Sequence, residues 1–87
     1  MMYRIVWKRD AVRELAAITV AASNRGAITT AVNVAERTLM RDPLNSGKAF
    51  GRRIRRCFVT PLTVEYAVNG ARAEVTITGV LWGDKTS

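Results

Sequence analysis

Apolar positions recur at two different periods along these 87 residues, and the changes of period mark out the elements. The opening stretch Tyr3-Arg4-Ile5-Val6-Trp7 is dense in β-branched and aromatic side chains and predicts a strand. Asp10 follows, just ahead of Ala11-Val12. Its carboxylate suits the free N–H groups of a first helical turn, so it is expected to be an N-cap. Val12, Leu15, Ala16, Thr19 and Ala22 then recur at spacings of three and four until Ser23-Asn24-Arg25-Gly26 breaks the pattern. A second helix is expected over residues 27–41, where Ile28, Val32, Ala35 and Leu39 share a face. Asp42-Pro43 stops it, because the residue before proline is pushed out of the helical region. With so short a turn between them, the two helices form an antiparallel pair.

Residues 44–51, with Asn45, Ser46 and Gly47, read as a linker within the domain, and from there the period drops to two. One strand is expected over residues 53–60. A second runs over 62–68, with Leu62, Val64, Tyr66 and Val68 on one face. Asn69-Gly70 predicts a tight hairpin turn, since both residue types tolerate positive φ. A last strand covers 73–82. The order β-α-α-β-β-β implies an α+β fold, an antiparallel helix pair packed on one face of a four-stranded, mostly antiparallel sheet. The sheet's other face is left for solvent or a partner. Residues 1–87 are read as a single domain.

Charge sharpens this picture. Fourteen Lys+Arg against seven Asp+Glu leave a net charge of +7, which points to an anionic partner: nucleic acid, an acidic protein or, least of the three, a membrane surface. No apolar run approaches the ~18–20 residues of a spanning helix, and the N-terminus carries no signal-like apolar core, so a cytoplasmic protein is expected. With no histidine and one cysteine, a zinc site is not expected, nor is any other metal or cofactor.

The densest chemistry lies in GRRIRRCFVTP, residues 51–61. Period two groups Arg53, Arg55, Cys57 and Val59 on one face, and Ile54, Arg56 and Phe58 on the other. Taking Ile54 and Phe58 as the core face displays Arg53 and Arg55 ~7 Å apart on the open face, like neighbouring phosphates of one strand. A guanidinium suits phosphate and carboxylate alike. Lys48 and Arg52 extend the patch. Arg56 falls on the face given to the core, which places it at a rim or calls for a bulge. The plainer alternative is a solvated face that guards a strand against aggregation. Glu65 is a candidate base, set against a cross-strand ion pair with an arginine, and Tyr66 belongs with the core. Cys57 has no histidine to activate it and reads as a small strand residue. Trp82 either stacks on a base or caps the core; Lys85 follows it in the tail.

YRIVWKRDAVRELAAI, RTLMRDPLNSG, RRIRRC, LTVEYAV and AEVTITGVLW, in this order and spacing, resemble the RelE/ParE superfamily of toxins from bacterial type II toxin–antitoxin systems, over nearly the whole chain. RelE-like members cut messenger RNA in the ribosomal A site with basic residues and no metal; ParE-like members inhibit DNA gyrase. The resemblance carries a basic pair of the cleavage set onto Arg53 and Arg55. An arginine at the next strand's start would fall near Thr63, and another beyond the last strand near Gly83, with Lys85 the closest cation; neither is an arginine here. A C-terminal tyrosine also has no counterpart up to Ser87. The first expectation is therefore a toxin that inhibits growth by binding gyrase and is neutralised by an acidic antitoxin, as a homodimer or in a heterotetramer with it. The alternatives are a ribosome-dependent endoribonuclease using Arg53, Arg55 and Glu65, and a non-toxic nucleic-acid-binding or interaction module.

Overall fold

The computed structural model describes residues 2–87. It orders the chain as β1 (Arg4–Trp7), α1 (Arg9–Ala21), α2 (Arg25–Arg41), β2 (Lys48–Ala49), β3 (Arg55–Val59), β4 (Leu62–Asn69) and β5 (Glu74–Trp82). The sheet has five strands in the order β1-β5-β4-β3-β2, antiparallel except for the parallel β1–β5 pair. The extra strand is β2, a two-residue piece inside the expected linker. It is too short to show an alternation and forms because Lys48 and Ala49 pair with Arg56 and Arg55.

The helices start and stop for local reasons. Asp10 is not the cap of α1: Lys8 takes that place. Lys8 still belongs to the edge of the sheet, donating its N–H to Ile77 O, and its own carbonyl accepts the first helical bond from Val12. Asp10 sits in the first turn, where its charge complements the helix dipole. In α2 the cap is Asn24, whose side chain accepts from Ala27 N at 3.0 Å. Asp42 terminates α2 ahead of Pro43, as proline requires.

Both helices bury one stripe against the same sheet face. On α2 this is Ile28, Ala31, Ala35 and Leu39. On α1 the inward residues are Ala11, Leu15 and Ile18, joined by Ala22 just past its end, while Val12, expected to be inward, is half exposed. They meet Val64, Tyr66, Val75, Ile77 and Val80 of the sheet, all at most 2% exposed. Each such side chain contributes about 1.5–3 kcal/mol by leaving water.

The turns also differ from expectation in detail. The Asn69-Gly70 corner is not a two-residue turn. Asn69 and Glu74 face each other across a loop holding a 3-10 turn (Gly70–Arg72), in which the Asn69 side chain accepts from Arg72 N and Ala73 takes the positive φ. At the β3–β4 corner, Thr60 and Pro61 bridge the pair Val59 and Leu62. A register shift between Glu65 and Tyr66 puts a bulge in β5 near Thr78. Beyond it β1 has ended, and Glu14 of α1 accepts from the N–H of Val80 at 3.0 Å.

Candidate functional site

The sheet face away from the helices holds the candidate site, and the phase of β3 decides what it displays. Arg55, Cys57 and Val59 lie opposite Tyr66, Val64 and Leu62, all core residues, so they share the helix side. Arg56 and Phe58 lie opposite Glu65 and Thr63 and share the open side. The expected faces are therefore inverted. Because side chains alternate strictly, a one-residue change of phase moves every one of them.

Arg53 is not in the strand at all. It lies in the loop between β2 and β3 with φ +61°, beyond Gly51 at φ +97°, and Phe50 N closes this loop onto Ile54 O at 2.8 Å. Arg55 is drawn under the chain that leaves α2: its Nη2 donates to Leu44 O and Gly47 O, each at 2.7 Å. Its Nε is buried without a partner. Beside it the Tyr66 hydroxyl donates to Pro43 O at 2.6 Å. Burial raises the Tyr66 phenol above its usual range, against the opposing pull of the Arg55 hydrogen bond. Gly47 is required here, since a Cβ would stand 2.6 Å from both Arg56 O and the Tyr66 hydroxyl. Arg53 and Arg55 thus form no pair on the open face: one is a loop residue, the other a staple.

The arginine at the centre of the open face is Arg56. Its Nε donates to Glu65 Oε2 at 3.1 Å and its Nη1 to Lys85 O at 2.9 Å. Its guanidinium carbon lies 3.7 Å from the centroid of the Phe50 ring, a cation–π contact. Glu65 also accepts from the Thr78 hydroxyl at 3.3 Å. Of the two roles considered for Glu65, the structure places it in the ion pair. Phe58 is on this face and 40% exposed, not in the core, and Phe50 is 39% exposed.

Residues 83–87 fold back over the same face. Gly83 N donates to Pro61 O at 2.7 Å, Lys85 N donates to the Thr63 hydroxyl at 2.8 Å, and that hydroxyl donates in turn to Gly83 O. Thr63, where the nuclease pattern has an arginine, is consequently fully buried. Asp84 is held below the usual carboxylate range, first by hydrogen bonds from Thr86 and also by the nearby charge of Lys48. Lys48, Lys85 and Asp84 therefore share one margin of the face. Trp82 is 57% exposed and borders a depression with Ile18, Ala21, Ala22 and Ser23 at the C-terminal end of α1, away from the arginines. Cys57 is buried, which pushes its thiol above the ordinary value.

Phe50 and Phe58 were the site residues that sequence reasoning missed. Arginines stand on both phases of this stretch, so the expected pairing of Glu65 with an arginine left the phase open; the register that sets Arg56 opposite Glu65 decides it. Among the described residues no group of three metal-ligating side chains converges, and no helix is long and apolar enough to cross a membrane.

No family model matches the sequence, and no curated protein matches it. Solved structures do. A chain of the RelBE2 toxin–antitoxin complex from Mycobacterium tuberculosis superposes with a TM-score of 0.80 at 20% identity, over 94% of this chain and 92% of that one. The chain has the RelE/ParE toxin fold. A chain of the chromosomal ParDE toxin–antitoxin system from P. aeruginosa matches at TM-score 0.72 and 17% identity, covering 95% and 98% of the two chains. The isolated E. coli RelE toxin matches at 0.69 and 11%, covering 98% and 88%. The RelE/ParE likeness therefore spans both halves of the molecule, the helical hairpin and the C-terminal strands alike.

Proposed function

We propose that this chain is the toxin of a type II toxin–antitoxin pair, that it arrests growth by binding DNA gyrase, and that an acidic antitoxin neutralises it. The toxin–antitoxin part is supported by the fold, since the similar chains come from assemblies or toxins named as such. The choice of binding over RNA cleavage rests on one observation: the open face's central arginine and central carboxylate, Arg56 and Glu65, are closed on each other. A metal-independent ribonuclease needs a free base for the 2′-hydroxyl and free cations for the developing phosphorane charge. With Arg55 turned inward, the centre of this face offers Phe50, Phe58 and a neutralised pair, and Lys48 and Lys85 stand only at its margin. Exposed aromatics beside an arginine suit the desolvated centre of a protein interface. The acidic partner follows from the +7 charge, and binding only the folded toxin would stabilise this thinly cored domain by mass action.

The test uses the purified chain in two assays. With gyrase and relaxed plasmid, supercoiling is expected to fall with added protein, while messages in a translating extract stay intact. Cuts within translated messages, with supercoiling unchanged, would replace this reading with the ribosome-dependent endoribonuclease.

A further inference from the structure

We propose that the outward face of α1 is a dimerisation surface whose occupant is the same face of a second copy of this chain, laid antiparallel. The inference does not depend on which target the toxin inhibits. Three observations carry it.

The first is an apolar stripe where a solvated one is ordinary. Asp10, Arg13, Ala17 and Val20 follow at spacings of three and four, all exposed, on the side of α1 away from Ala11, Leu15 and Ile18. From Ala16 to Ser23 no residue is charged, and Val20, at 74%, is the most exposed large hydrophobic among the described residues. α2 belongs to the same layer and shows what solvent usually meets: its exposed positions include Thr29, Thr30, Asn33, Arg37 and Arg41. The α1 stripe runs into a depression of about 330 Å³ lined by Ile18, Ala21, Ala22, Ser23 and the exposed Trp82. A contiguous exposed apolar surface of this kind marks an interaction face.

The second is that the stripe complements itself when reversed. A two-fold axis through Ala17 sets each residue against the one equally far on its other side. Arg13 then meets the second copy's Ala21, and its guanidinium reaches the depression, where the Trp82 ring offers a cation–π contact. α1 has no basic residue in its last turn, and its end is closed by one long bond, Ala22 N to Thr19 O at 3.3 Å. The second copy's Arg13 supplies the missing cation at that carbonyl end. Asp10 comes against the turn that carries Arg25, its opposite in charge. Asp10, Arg13 and Arg25 are exposed and belong to neither salt bridge among the described residues. Between these ends Val20 falls over the second copy's Ala17 and the stem of its Arg13, and such small side chains let the helix axes approach to ~8 Å. The symmetry makes every contact twice.

The third is where the chain's other exposed cations lie. Lys48, Arg52 and Arg53 are at the β2 edge of the sheet, whereas α1 packs over β5 near the β1 edge. An acidic partner gains its ion pairs at the β2 edge and finds no cation in the middle of the α1 stripe. A second copy is the partner that fits both the uncharged middle and the two charged ends.

A patch of a few hundred Å² on each copy gives an interface of roughly 1,000 Å², the low end for a specific pair. The +7 charge of each copy opposes approach. The dimer is therefore weak, half-formed at roughly 100 µM.

Sedimentation equilibrium of the full chain from about 10 to about 500 µM brackets that midpoint. Val20→Lys and Arg13→Glu, each verified as folded by circular dichroism, should weaken association by about tenfold or more. Arg37→Glu, which makes the same charge change on α2, should leave it within about twofold. Mild oxidation tests the antiparallel arrangement, since the native Cys57 is buried. Ala17→Cys should cross-link across the axis, whereas Val20→Cys places its two thiols ~9 Å apart along the helices, beyond the ~7 Å reach of a disulfide. A chain still monomeric at the highest concentration would overturn the proposal. Association unchanged in Val20→Lys or in Arg13→Glu would do the same, as would cross-linking through Val20→Cys as fast as through Ala17→Cys. Polyglutamate bound by a monomeric chain, and released by Val20→Lys, would hand the face to an acidic partner and overturn it too.

Discussion

Replacing Arg55 by methionine separates a structural arginine from a displayed one. The substitution keeps an unbranched stem on the helix side of β3 but removes both donors to Leu44 O and Gly47 O, at 2.7 Å each. A hydrogen bond from a charged group contributes about 1.5–3 kcal/mol when sheltered. The Gly47 contact is part-buried and takes that range; the Leu44 contact is exposed and adds only about 0.5 kcal/mol. Methionine also removes the partnerless Nε, which returns part of the loss. The net is a destabilisation of about 2 kcal/mol. At about 4–8 °C per kcal/mol for a domain of this size, Tm should fall by roughly 10–15 °C. Thermal and urea unfolding followed by circular dichroism measure this directly. Arg53→Met is the internal comparison and should stay within about 0.5 kcal/mol, as an exposed loop change does. An Arg55→Met protein melting within 3 °C of wild type, or no lower than Arg53→Met, would mean that Arg55 does not staple the loop to the sheet.

Three further outcomes are expected. Gly47→Ala forces a methyl to within 2.6 Å of the Arg56 carbonyl and the Tyr66 hydroxyl, and overpacking against backbone should cost about 1–3 kcal/mol in urea titration, whereas Gly70→Ala, with open space around it, should cost less than about 1 kcal/mol. Glu14→Ala leaves the part-buried N–H of Val80 without an acceptor and should destabilise by about 1–3 kcal/mol, while Glu14→Gln, which keeps an acceptor, should recover most of it; equal losses would show that the carbonyl geometry is irrelevant. Arg4 holds the Glu74 carboxyl below its usual range through their hydrogen bond. A depressed folded-state value stabilises above the unfolded value of about 4.3 and ceases to do so as pH falls through the folded one. The Tm gap between wild type and Arg4→Ala should therefore be present at pH 7 and close in the acid range, and a gap that widens on acidification would contradict the pairing.

Much of the fold was legible because its signals are local. Asp42-Pro43 ends α2 by a clash within two residues, and the Leu62-Val64-Tyr66 alternation needs no knowledge of the rest of the chain. Parts of the candidate site were less legible because they depend on partners far along the sequence. β2 exists only through its pairing with β3, and Thr63 is buried only because residues 83–87 fold over it. The true inward stripe of α1 was set by docking on β5, where Glu14 had to reach the N–H left free beyond the end of β1.

The sequence by itself determined the element order, the α+β class and the concentration of positive charge between residues 48 and 56. Tertiary structure decided which arginines face outward. Alternation with period two is unchanged when the strand is rolled to its other side, so a run of arginines on both phases carries no local record of which face is buried. That choice was made across the sheet, where Tyr66 drew Arg55 inward and Glu65 held Arg56 on the open side.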